Sequence, residues 1–244
     1  MNNREPEVKS QRGGARGPTP RWLTLVVYAG LGLVLLLTAT AALTSLWPRH
    51  QNESAASSAL TEAAILNDPA TPTLAAADAD VTIVVFFDYR CPVCRQVHPI
   101  LERIRKEDGR IRLVYKDWPI VAGASTTAAR VAIAAHWQGK YHAVHDALMR
   151  SPGQLDEARI EAAARGVGVD WDRLRHDLAT RGDEVEALLG RTHVQARGLG
   201  FQGTPSFAIG AYLVSGGLDH ARFTSAIARA RAFQRPQDRG PPRP

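Results

Sequence analysis

Apolar residues run on without interruption at two places in this 244-residue chain. The first is Trp22 to Trp47, WLTLVVYAGLGLVLLLTATAALTSLW, with no charged side chain. It is long enough, as a helix, for the roughly 30 Å hydrocarbon core of a bilayer. The second is Val81 to Phe87, VTIVVFF. It is short and rich in β-branched and aromatic residues, which predicts a buried strand. Directly after it the period changes. Val93, Val97, Ile100, Leu101 and Ile104 recur at helical spacing, so a helix starts near Pro92, a residue suited to the first helical position. Arg110 to Lys116, RIRLVYK, then reads as a second strand. Strand, helix and strand at this spacing predict a parallel βαβ unit.

A helical block follows. Thr126–Gln138 carries Ala128, Val131, Ala132 and Ala135 on one face and stops at Gly139. Tyr141–Met149, Leu155–Arg165 and a helix behind Asp170 come next, and Asp183 with Glu186 forms a capping-box-like start for Asp183–Arg197. The loop GLGFQG, Gly198–Gly203, leads through Thr204-Pro205 into a strand ending at Ile209. Gly210-Ala211 predicts a hairpin to Tyr212–Ser215. A last helix behind Asp219 carries Phe223, Ile227 and Phe233.

Charge adds the organisation of the ends. The formal net charge is +6, and much of it lies in the tails: Arg4, Lys9, Arg12, Arg16 and Arg21 before the long apolar run, and Arg231, Arg235, Arg239 and Arg243 at the other end. Basic residues interleaved with aromatics do not form a stripe, which excludes a nucleic-acid surface as a reading. The basic excess before residue 22 predicts a cytoplasmic N-terminus under the positive-inside rule, with Trp22 and Trp47 as interfacial anchors. Ala39-Thr40-Ala41 would suit cleavage of a signal peptide, but the run continues to Leu46, which favours an uncleaved anchor. The predicted order is a cytoplasmic basic tail (1–21), a transmembrane anchor (22–47), a linker (48–79) with a short helix at Ser58–Leu66, a folded domain (80–233, helical insertion about 120–198) and a disordered Pro-rich tail (234–244).

The chemistry sits between the first strand and the first helix. The chain has two cysteines, Cys91 and Cys94, in Cys-Pro-Val-Cys. Cys91 falls at the helix N-cap, where free N–H groups and the helix dipole favour a thiolate, the reactive form. Cys94 lies one turn on, within disulfide reach. Cys91 is expected to be the exposed attacker and Cys94 the resolving thiol. As a structural staple the pair would close only a tiny loop, which stabilises little. A closed zinc site needs about four ligands; His98 would be a third here, and His142 with His145 is a second weak pair.

FFDYRCPVC, YKDWPI, a helical middle and GTPSF, in that order, resemble the DsbA-like thiol:disulfide oxidoreductases of the thioredoxin superfamily from about Asp80 to Phe233. The resemblance implies a thioredoxin-like α/β fold with an inserted helical domain, here preceded by one N-terminal transmembrane helix. It implies Cys91 as nucleophile, Cys94 as resolving cysteine, Pro92 and Val93 as the residues that tune the pair, and Pro205 as a cis-proline. Thr204 would present its backbone to substrate, and Pro99 would match the proline that kinks the active-site helix. One departure stands out. Many relatives carry a buried acid where this chain has Val85; Asp88 is a candidate substitute.

The expected function is disulfide exchange between Cys91–Cys94 and cysteines of exported proteins, on the periplasmic side of a single-pass inner-membrane protein. A membrane redox partner would reset the pair, the lipid bilayer would hold residues 22–47, and no cofactor or metal is expected beyond the cysteines. Oxidase activity is favoured over reductase or isomerase activity. The rivals are a soft-metal, copper-handling protein using the same cysteines and a binding module without turnover.

Overall fold

A computed structural model describes residues 57–121 and 123–238. The expected cytoplasmic tail and anchor, the start of the linker and residues 239–244 lie outside them. Among the described residues no helix is long and apolar enough to cross a membrane.

Five strands form one sheet in the order β1-β3-β2-β4-β5. The central strand β2, Val81–Phe87, pairs in parallel with β3, Ile111–Asp117, Val81 opposite Ile111 and Phe87 opposite Asp117. Between them runs α2, Pro92–Asp108, which ends where Gly109 takes a left-handed φ of 71°. This is the predicted βαβ unit. On the other side of β2, β4 (Ser206–Ile209) runs antiparallel and turns through Gly210-Ala211 into β5, Tyr212–Ser215. A helical insertion fills the gap between β3 and β4: α3 (Ser125–His136), α4 (Tyr141–Arg150), α5 (Glu157–Gly166) and α6 (Trp171–Gly198). The last helix, α7, covers His220–Asp238, and the Asp219 carboxylate accepts from the Arg222 N–H at its start.

Both faces of the sheet are covered, so its central strands are apolar nearly throughout. Ile83, Val85 and Phe87 pack on one face with Val97, Leu101, Phe207 and the insertion. Val84, Phe86 and Val114 pack on the other with Trp118, Phe201 and Ile65.

Two expectations are corrected. The stretch read as a linker up to residue 79 is partly built into the domain. Its expected helix is present but interrupted at Leu60–Thr61: residues 57–59 are helical, α1, Glu62–Leu66, is capped by the Thr61 side chain, and Thr73–Ala75 forms β1, antiparallel to β3. Arg112 donates to the Leu66 carbonyl and the Lys116 ammonium to Thr71 Oγ1, so long-range partners fix a segment with little local pattern. The two helices expected on either side of Asp183 are present as two segments of α6, joined across a kink at Arg181 (φ −126°, ψ 16°). The Arg181 guanidinium lies 3.9 Å from the Trp137 ring centroid and pairs with Glu184, while Glu186 pairs with Arg130 on α3 instead of closing a capping box. The last helix also runs to Asp238, past the expected start of the tail, with Phe233 half exposed.

Candidate active site

The site forms where β2 ends. After Phe87 the chain turns, and the Asp88 carboxylate holds the turn: it accepts from the backbone N–H of Arg90 (2.8 Å) and of Val121 (2.7 Å), and from the Ser125 hydroxyl. These bonds tie the active-site turn to the start of the helical insertion. With its oxygens so occupied, the Asp88 carboxylate serves as a brace, while the Asp88 backbone N–H bonds the Cys94 sulfur and works against the rise in that thiol's pKa.

Cys91 is the N-cap of α2, with Pro92 in the first turn. Its Sγ accepts from the Cys94 N–H at 3.4 Å, as an N-cap side chain should. The loop before β4 arrives from the other side. Its Thr204–Pro205 bond is cis, and the Thr204 carbonyl accepts from the Cys91 thiol at 3.2 Å. Pro92, Val93, Cys91, Cys94, Thr204 and Pro205 are thus brought to one spot by two elements more than a hundred residues apart. Both thiols are free. The expectation of an exposed Cys91 is corrected: it is 7% exposed and Cys94 3%, because the Thr204–Pro205 loop covers it. Val93 is the exposed member of the motif. A side chain at Gly217 would run into it, a Cβ there lying 2.8 Å from a Val93 methyl, so that loop passes close only as glycine.

The two sulfurs differ in acidity. The Cys91 thiol is lowered to about 6, first by the hydrogen bond it takes from Cys94, against a desolvation penalty, and then by the Thr204 side chain and the N–H groups of Cys94 and Val93. The Thr204 carbonyl favours the protonated thiol, since a thiolate cannot donate to it; the donors outweigh it. Burial pushes the Cys94 thiol far up, and the same Cys91 contact, seen from the other partner, adds to the rise. At neutral pH the reduced pair therefore holds one thiolate, on Cys91.

Beneath Cys94 lies a cavity of about 20 Å³. Val85 stands in its wall, together with His98 and His145. His98 bonds through Nε2 to Asp146 Oδ1 at 2.8 Å. The Nδ1 of His145 meets the Tyr89 hydroxyl at 3.1 Å, and its ring stacks on Tyr141, whose hydroxyl donates to Asp117 Oδ2 at 2.6 Å. Among the described residues no group of three or more His, Cys, Asp or Glu could hold a metal. His98 and His145 have partners of their own, and His142 bonds the Thr73 carbonyl. Sequence reading singled out His98 and His145 but not their partners Asp146 and Tyr89. The signal for His98 was its place four residues after Cys94, on the same helix face.

A thioredoxin family model matches residues 67–229. The chain belongs to the thioredoxin family. The solved structures agree. A thioredoxin-like oxidoreductase from Silicibacter pomeroyi is 40% identical, with a TM-score of 0.67 over 70% of this chain and 98% of that one. A periplasmic thioredoxin-like protein from Salmonella enterica serovar Typhimurium is 27% identical, with a TM-score of 0.62 over 70% and 95%. The thiol-disulfide exchange protein α-DsbA2 from Wolbachia pipientis, 24% identical with a TM-score of 0.64 over 73% and 97%, shares the fold. Among curated sequences, a Na(+)/H(+) antiporter of Salinispora arenicola is 31% identical over 172 residues, 68% of this chain. The chain spans only 26% of that antiporter's length, too little to carry over an ion-transport activity. The matched region is a thioredoxin-family domain, similar to a thioredoxin-like oxidoreductase.

Proposed function

We propose that the protein is an extracytoplasmic oxidase that passes the Cys91–Cys94 disulfide to cysteines of exported proteins. The split in acidity between the two sulfurs carries this reading. Stabilising the Cys91 thiolate stabilises the reduced pair, so the disulfide is a strong oxidant. In the reaction a substrate thiolate attacks Cys91 Sγ. The bond to Cys94 breaks and its electron pair moves to Cys94, which takes up a proton. A second substrate thiolate then attacks the substrate sulfur of the mixed disulfide, and Cys91 leaves as the stabilised thiolate. The substrate loses two electrons and the cysteine pair gains them. Thr204 and Pro205 present the surface beside Cys91 where an extended substrate strand would lie.

The location rests on the basic tail and the apolar run Trp22–Trp47, and on the periplasmic description of the Salmonella neighbour. An oxidising compartment suits such chemistry, and a membrane redox partner would re-oxidise the pair. The copper reading would need His98 Nδ1 as a third ligand, and among the described residues no group of three or more His, Cys, Asp or Glu is assembled to hold a metal.

The test is the reduction potential of the full chain in glutathione buffers, with two variants beside it. A potential near about −120 mV, as in DsbA, supports an oxidase; one near about −270 mV, as in thioredoxin, turns the direction to reduction. Cys91→Ser is expected to abolish exchange and Cys94→Ser to trap mixed disulfides through Cys91. Full exchange activity in Cys91→Ser ends the mechanism.

A further inference from the structure

Cys94 must gain a proton each time the disulfide opens and lose one each time it closes. It does so while 3% exposed, walled by Val85, Val97 and Met149, with no carboxylate among the described residues that line its cavity. The groups there that can carry a proton are His98, His145 and Tyr115. His145 and Tyr115 serve badly. His145 is fully enclosed and burial drives its pKa well below the ordinary imidazole value, so it resists protonation. Tyr115 is pushed up by burial and by Glu102.

His98 is placed differently. It lies four residues after Cys94 on α2, so both side chains leave the helix on one face and meet the same cavity. Its Nε2 is 2.8 Å from Asp146 Oδ1. A carboxylate only accepts, so Nε2 carries the hydrogen and Nδ1 is the lone-pair nitrogen. Asp146 is held ionised: burial alone would raise its pKa, but the hydrogen bonds from His98 and Arg150 bring it down. Its side chain is 47% exposed, which links the buried imidazole to solvent. The groups facing His98 are Cys94 on its own helix, His145 and Asp146 (with Arg150 behind it) from α4, and Tyr115 from β3; β2 offers only Val85 and Phe87.

We propose that His98, oriented by Asp146, is the proton donor and acceptor for Cys94, working across the small cavity they share. A cavity of about 20 Å³ has room for one water, which would carry the proton between sulfur and Nδ1. When the disulfide opens, the Cys91–Cys94 bond breaks with its electron pair on Cys94, and the imidazolium supplies the proton. When it closes, His98 takes the proton from the Cys94 thiol. The thiolate attacks Cys91 in the mixed disulfide, and the substrate sulfur leaves as thiolate. Asp146 stabilises the imidazolium without itself being protonated, as an orienting carboxylate does beside a catalytic histidine.

The inference rests on the exchange reading above and is tested with the full chain. Reduced protein is mixed with oxidised glutathione, and two events are followed across pH: alkylation of Cys91 by iodoacetamide, which reports the attacking thiolate, and closure of the mixed disulfide, which requires Cys94. His98→Gln and Asp146→Asn are each expected to slow closure at neutral pH by about tenfold or more. Cys91 alkylation should stay within about twofold and closure should recover as hydroxide replaces the base at high pH. Closure in wild type should slow in deuterium oxide more than alkylation does, a readout that stands even if His98→Gln fails to fold. Closure unchanged in Asp146→Asn, or equal isotope effects on both events, overturns the relay and leaves the exchange reading intact. If wild type forms no mixed disulfide at all, the exchange reading itself falls and the relay with it.

Discussion

The two faces of the central sheet bury polar groups in opposite ways. On the site face they are connected: Tyr89 meets His145, Tyr141 bonds Asp117, and His145 packs edge-on against His98, whose partner Asp146 reaches solvent. All of these join the α/β core to α4 of the insertion. On the back face Lys116 is 1% exposed and donates to Thr71 at 3.1 Å. Close by, Arg191 bonds Asp68, and Gln195 donates to the carbonyls of Ala59 and Ala64. Those groups latch the segment before β1 onto the domain. One face thus uses buried polarity to position proton-carrying groups under a thiol, the other to hold chain in place. Neighbouring residues of one strand serve the two purposes, Lys116 on one side and Asp117 on the other, because successive side chains of a strand point to opposite faces.

The largest effect that separates the faces comes from cutting back a phenylalanine on each. Phe87 packs against Tyr89 and His145, with centroids 5.2 and 4.7 Å away; Phe86 packs against Phe201 at 5.4 Å. Each is fully buried, so Phe87→Ala and Phe86→Ala should each cost about 3–5 kcal/mol in chemical denaturation. Only Phe87→Ala should also change the pH profile of mixed-disulfide closure, since only it frees the imidazoles beside Cys94. Equal kinetic damage from both would show that the site responds to loss of stability alone.

What could be read from the letters follows the same division. The strand, the Cys-Pro-Val-Cys turn and the helix after it were legible because apolar period and helix-start signals sit within a few residues of each other. So was the hairpin at Gly210-Ala211, where Gly210 takes a φ of 53°. β1 was not legible: three residues in an Ala- and Thr-rich stretch have no period of their own, and pairing with β3 makes them a strand. The break near Asp183, by contrast, was legible: the kink at Arg181 divides α6 close to where the Asp183–Glu186 start signal lies. At the site, His98 could be found by its spacing from Cys94. Asp146 could not, because it is 48 residues away and only the folding of α4 onto α2 brings it there.

Next in size is Lys116. Burial lowers its pKa to about 8, against the pull of Asp68. A lysine unfolds to about 10.4, so between those values the unfolded chain binds more protons than the native one, and stability rises with pH through that window. Below pH 8 both states are protonated and the full cost of the buried charge is present, on the order of 3 kcal/mol. Lys116→Met keeps the length and removes the charge. It is expected to raise stability at pH 7 by about 1–3 kcal/mol and to flatten the rise between pH 8 and 10. Unfolding curves at pH 7 and pH 10 measure both. A loss of stability at pH 7 would mean that the ammonium is better paired than its single bond to Thr71 indicates.

The smallest effect tests how isolated that bond is. Thr71→Val removes the hydroxyl that accepts from Lys116 at nearly constant volume, leaving a buried ammonium short of a partner. The expected cost is about 1–2 kcal/mol at pH 7. In the Lys116→Met background the same substitution should cost under about 0.5 kcal/mol, so the double-mutant cycle returns nearly the whole of the Thr71 effect as coupling to Lys116. Disulfide exchange should be unchanged in all three variants, because nothing links this pair to the cysteines. A coupling near zero would assign the effect of Thr71 to the turn it makes with Asp68 and Thr73; the latch would then be held by backbone geometry, and its polar groups would resemble those of the site face less than their burial suggests.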